Sequence, residues 1–169
     1  ACTDTGVLHI MPLDDLSEAT VVAQAGVVLT DMAYNTADNQ IYGVADGVLY
    51  TIDRLTGVLT EVGTIGVSTN TLACDANGTF YCNKLGSGEV YSFTLETMDA
   101  PVFLVKAFTN KSQGVQAMEI DPNTGMLCWA SFYVNRYGYA YLFEIDVEAG
   151  TAKRYNDLWY ELSALIIPS

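Results

Sequence analysis

The stretch that decides the fold is Asp31–Gly63, DMAYNTADNQIYGVADGVLYTIDRLTGVLTEVG. Short runs rich in Tyr, Val, Ile and Thr alternate with turn residues, the pattern of β-strands joined by tight hairpins. Strand a reads Met32–Asn35, b Gln40–Ala45, c Val48–Asp53 and d Val58–Gly63. The turns between them are Thr36–Asn39, Asp46-Gly47 and Arg54–Gly57. Asp-Gly and Thr-Gly supply the positive φ angles that short antiparallel connections need.

The same unit returns twice, as TLACDANGTFYCNKLGSGEVYSF from Thr71 and AMEIDPNTGMLCWASFYVNRYGYAYLFEID from Ala117. An apolar anchor opens each copy: Met32, Leu72 and Met118. Asn77-Gly78, Asn123-Thr124-Gly125 and Ala149-Gly150 fall at matching turns. Four antiparallel strands repeating at roughly 40–45 residues describe a propeller blade. The predicted fold is therefore all-β: a β-propeller of about four blades of four antiparallel strands, complete or partial, in a single domain.

The ends read as fragments of the same unit. GVLHIMPLD aligns with GVLYTIDRL, which places His9 where Tyr50, Tyr91 and Phe143 stand. The expected blades are 1–28 (strands c and d), 31–68, 70–110, 115–158 and 161–169 (strand a), with Leu165 at the anchor position. Three arrangements follow: one chain closes a small ring, a homodimer or longer chain completes a larger one, or the array stays open. An open array leaves unpaired strand edges that need cover.

Composition excludes several classes. Seven basic residues stand against 20 acidic ones, a net charge of −13, and such a field repels nucleic-acid phosphates and anionic membranes. The sequence has no apolar run long enough for a spanning helix, so membrane insertion is not expected. It opens ACTDTG, without the basic and apolar regions of a leader, and reads as a mature or excised piece. Cys2, Cys74, Cys82 and Cys128 form no CxxC pair, and with one histidine they are too few for a zinc site. Cys74 and Cys82 flank the DANG turn on one face of two paired strands, either bridged or as two small buried thiols.

The pattern D-x-AYN-x-x-D-x-x-x-Y-x-V followed by LYTID-x-x-TG-x-x-T-x-VG is carried by Asp31, Ala33, Tyr34, Asn35, Asp38, Tyr42 and Val44. It continues through Leu49–Asp53, Thr56, Gly57, Thr60, Val62 and Gly63. This resembles the extracellular bacterial propellers with quinoprotein-like or YVTN-like blades. The resemblance implies a secreted or cell-surface location, within multidomain proteins that often carry immunoglobulin-like modules. The residues that would hold a quinone and its metal are not in the sequence, so no cofactor is expected.

Candidate chemistry is sparse. His9 aligns with packing residues, not with a triad. The turns DANG (Asp75–Gly78) and DPNTG (Asp121–Gly125) have the flavour of calcium loops. Each offers two ligands at most, and Asx turns explain them without metal. Arg54, Arg136 and Arg154 are too few and too dispersed for a sialidase cluster, and Arg54 sits in a c–d turn, away from the b–c loops. A glycan-active enzyme would need paired carboxylates at the channel, and Glu119 is the only strand-a candidate.

The third repeat holds the best binding candidate. Its enlarged b–c loop, SFYVNRYGYAY, carries Tyr133, Arg136, Tyr137 and Tyr139, and its d–a loop, YNDLWYELS, carries Trp159 and Tyr160. In a propeller these loops emerge on one face. Tyr, Trp and Arg there would suit stacking on sugars or a protein interface. The expected role is a non-catalytic recognition or adhesion module for a glycan or protein ligand. A polysaccharide hydrolase or lyase and a purely structural spacer are the competing readings.

Overall fold

The structure is a computed structural model. It describes residues 2, 4–10, 15–109, 112–133, 139–158, 165 and 167, with the backbone alone at 16, 133, 139 and 156–158. The described residues are all-β apart from one 3-10 turn, Leu16–Glu18, capped by the Asp15 carboxylate. A hairpin of β1 (Val7–Ile10) and β2 (Thr20–Gln24) comes first. Blade one follows as β3 (Asp31–Asn35), β4 (Gln40–Ala45), β5 (Val48–Ile52) and β6 (Leu59–Thr64). Blade two is β7 (Ala73–Cys74), β8 (Phe80–Asn83), β9 (Gly88–Phe93) and β10 (Val102–Phe108). Blade three is β11 (Ala117–Ile120), β12 (Leu127–Tyr133), β13 (Tyr139–Asp146) and β14 (Thr151–Leu158). Each blade is an antiparallel meander in sequence order, so the chain is a propeller assembly of the expected class.

Local chemistry sets these boundaries. Asp46 and Gly47 both take positive φ, 50° and 76°, and join β4 to β5 through the two-residue turn that the strand twist favours. At the opposite end several turns are tied by an aspartate of their own, while the β9–β10 turn is closed by Thr97 instead. The Asp53 carboxylate accepts from the N–H groups of Leu55 and Thr56, Asp75 from Asn77 and Thr79, and Asp146 from Glu148 and Ala149. These are Asx turns, which hold the hairpin without metal.

The blades stack face to face, and successive residues of a strand serve different interfaces. Ala33, Tyr42, Val44 and Leu49 of blade one pack against Leu72, Cys74, Phe80 and Cys82 of blade two. The other face of blade two, with Ala73, Tyr81 and Val90, packs against Met118, Leu127, Trp129 and Phe143. The hairpin contributes Leu8 to a third core with Leu29, Ala45 and Ile52.

Cys74 lies opposite Phe80, which puts Cys82 one diagonal step away on the same face, as the turn geometry predicted. Among the described residues both are free thiols. Burial pushes each thiol up to about 12, so little thiolate forms at neutral pH. Iodoacetamide at pH 8 is therefore expected to leave Cys74 and Cys82 unmodified in the folded protein and to label both in urea. Peptide mass spectrometry reads the difference, and labelling of the folded protein at the urea rate would contradict it.

Candidate functional site

Two ends of the assembly differ in chemistry. The a–b and c–d turns form an acidic end, with Asp38, Asp53, Asp75, Asp121 and Asp146 in five of its six turns. The N–H groups of Thr56 and Asn123 hold the Asp53 and Asp121 carboxyls below the usual carboxylate range. Asp38 and Asp75 also accept from the hydroxyls of Tyr42 and Tyr81. Among the described residues, no group of three or more His, Cys, Asp or Glu side chains is placed to share a metal ion.

The opposite end, where the b–c and d–a loops emerge, is built from amides and hydroxyls. Asn83 ends β8, and its Oδ1 accepts from Thr69 Oγ1 at 2.7 Å, Thr71 Oγ1 at 3.1 Å and the Asn70 N–H at 3.2 Å. Its Nδ2 donates to Asn70 Oδ1 at 3.0 Å, which also accepts from Gln116 Nε2 at 3.2 Å. Gln116 Oε1 in turn accepts from the Trp129 indole at 3.2 Å. Asn83, Thr71 and Gln116 are fully buried, and burial of amides is tolerated only when they are paired in this way. Asn70 stays partly exposed and donates from Nδ2 to the Gly114 carbonyl at 2.7 Å.

Main-chain bonds extend this lattice. The Leu85 N–H donates to Ser68 O, Gly86 to Ser112 O, and Gln113 to Phe132 O. The β6–β7, β8–β9 and β10–β11 connections are thus cross-tied to one another and to the end of β12, and Leu85 and Val115 present partly exposed apolar side chains beside them. Ser131 Oγ, on β12 at this end, is buried and has no hydrogen-bond partner among the described residues.

Of the residues expected to bind ligand, Tyr133 and Tyr139 end β12 and β13 and pair with each other across the ladder. The backbone therefore delivers both ends of the enlarged loop to the lattice. Their side chains lie outside the described residues, as do Arg136, Tyr137, Trp159 and Tyr160. Asn70, Asn83 and Gln116 were not singled out by sequence reasoning. Their only signal was position, since 69–71 and 116 stand just ahead of two strand-a anchors.

The inner strands correct one expectation. By sequence, Glu119 is expected to be the only strand-a carboxylate, with strand a of the first repeat starting at Met32. β3 begins one residue earlier, so Asp31 is a second. Asp31 Oδ2 accepts from the N–H of Leu72 at 2.9 Å and of Met118 at 3.1 Å, and Oδ1 from Met32 at 3.0 Å. One carboxylate thus joins the inner strands of all three blades. The residue keeps some exposed surface, but burial of its carboxyl raises the pKa to about 8. The three N–H groups oppose that rise, and the nearby Glu119 charge adds to it. Burial also pushes Glu119 up, while its Oε1 accepts from the Ile120 N–H. With its oxygens committed to backbone donors, Asp31 acts as a structural clamp and not as a free acid.

No protein-family profile matches the chain, and no curated protein matches its sequence. Solved structures do. A chain of the nidogen/laminin complex superposes with a TM-score of 0.67 at 14% identity, over 93% of this chain and 60% of that one. TolB from Acinetobacter baumannii gives 0.59 at 16% identity, over 88% of this chain and 37% of its own. An auxiliary nutrient binding protein from Bacteroides ovatus gives 0.55 at 12%, over 88% and 36%. The chain thus spans less than two thirds of each of these neighbours. At such identities the likeness speaks to architecture alone, and that architecture is the blade assembly described above.

Proposed function

We propose that the protein is a non-catalytic recognition module of an extracellular or bacterial cell-surface protein, of the YVTN-like propeller type. It meets a glycan or protein ligand on the b–c and d–a loop face of blades two and three. The cross-tied amide lattice carries this reading. It fixes three connections without aid from the ligand, and a preorganised surface loses less entropy on binding. The ends of β12 and β13 flank that floor, and the sequence between them carries Arg136 and Tyr137. Two neighbours, named for a laminin complex and for nutrient binding, are in keeping with a binding role.

The test is a screen of the protein against arrayed glycans and immobilised laminin, followed by titration of any hit with the R136A/Y137A variant. Binding is expected to weaken by about tenfold or more, the loss typical of removing two interface anchors. The melting temperature should not move. Equal binding by the variant, or no hit at all, would support the structural spacer instead.

A further inference from the structure

One packing motif recurs at each interface between neighbouring elements, and at one of them it is incomplete. In blade two, Leu72, Phe80 and Phe93 form an apolar floor from strands a, b and c, and Tyr42 of the preceding blade packs on it. The Tyr42 and Phe80 rings meet edge-on at 5.0 Å. In blade three the floor is Met118, Leu127 and Ile145, and Tyr81 of the preceding blade packs there. Blade one presents the same floor at the same register positions, Met32, Ile41 and Ile52. Tyr50 of the same strand as Ile52 borders this floor, but the hairpin that precedes blade one carries no tyrosine to lay on it. A cleft of about 360 Å3 opens there instead, walled on the far side by Leu8, Ile10 and Val22 of the hairpin.

We propose that this cleft is a binding site for an uncharged aromatic small molecule. The floor is one that twice receives a tyrosine ring in the same molecule, so its shape and chemistry suit an aryl group. Its volume lies in the roughly 300–1,000 Å3 range of small-molecule sites, which are mostly apolar with a few polar groups. The rim is rigidly set: Gly57, at φ 68°, brings the β5–β6 turn so close to β2 that an added Cβ would stand 2.5 Å from Ala23 Cβ.

Charge selects against ions. Asp53 and Arg54 line the cleft side by side with opposite sign, and His9 is the third titratable group facing it. The net charge of −13 further disfavours anions. The Asp53 carboxylate is occupied by its turn, whereas Arg54 makes no ion pair among the described residues. Its guanidinium donors are available to a hydroxyl or carbonyl on the ring. The site lies at the acidic end, remote from the loop face, and does not depend on the recognition role.

The experiment is a fluorescence titration with N-phenyl-1-naphthylamine, a neutral two-ring probe. Saturable enhancement at one site per chain is expected. Ile41→Phe from the floor and Val22→Phe from the wall, both half-buried, should each weaken it by about tenfold or more by filling the space. The R136A/Y137A variant should bind as the parent does. The anionic relative 8-anilinonaphthalene-1-sulfonate should bind more weakly by about tenfold. Absence of saturation, or unchanged binding in both filled variants with parental melting temperatures, would overturn the site. Equal affinity for the two probes would overturn its preference for neutral ligands.

Discussion

Asp31→Ala is expected to lower stability by about 2–5 kcal/mol, or roughly 5–15 °C in melting temperature. The change removes the shared acceptor of two N–H groups, Leu72 and Met118, on the inner edges of two other blades. Neither edge has a neighbouring strand to replace it, and orphaned buried donors carry the full cost of desolvation. Asp31→Asn keeps one carbonyl oxygen and should lose less. The same pair tests the titration. A carboxyl raised to about 8 in the folded state and ordinary when unfolded binds more protons when folded throughout the window between. Stability from this group is therefore fully developed below about 4 and lost as pH rises toward 8. Melting curves at pH 5 and 8 should differ more for the parent than for Asp31→Asn. Identical slopes would show that the carboxyl titrates normally.

Trp129→Ala is the second large effect, about 3–5 kcal/mol. The indole is fully buried at the centre of the interface between blades two and three, with Phe108 at 5.3 Å and Phe143 at 5.9 Å between ring centroids. Truncation opens a cavity in that stack and strips Gln116 Oε1 of its donor. Trp129→Phe separates the two contributions, because it keeps an aromatic ring and loses only the hydrogen bond and part of the volume. Urea denaturation of the three proteins reads both. A loss below about 1 kcal/mol for the alanine variant would mean that the interface collapses around the gap.

The fold was legible because its determinants are local. Asp46-Gly47, Asn77-Gly78 and the strand alternation around Tyr42 and Tyr81 each act within a few residues, and three imperfect copies reinforce one another. Asp31 was not legible. Its equivalents are Thr71 and Ala117, so the repeat offers no pattern, and its partners stand 41 and 87 residues away. Asn70, Asn83 and Gln116 share that difficulty, since a polar residue beside a strand looks solvent-facing until another blade covers it. The cleft over Met32, Ile41 and Ile52 could be found only by comparing interfaces, because each of these residues alone reads as ordinary core.

The Asp31 clamp also bears on how the chain reaches its native state. Repeat arrays with only nearest-neighbour contacts can fold from any point and propagate outward. Here the first blade is tied directly to the third across 87 residues, a contact that costs loop-closure entropy before it contributes anything. During synthesis β3 emerges long before Met118 does. The Asp31–Met118 bond can form only once blade three has emerged, which makes it the last of the three inner-strand ties to become available.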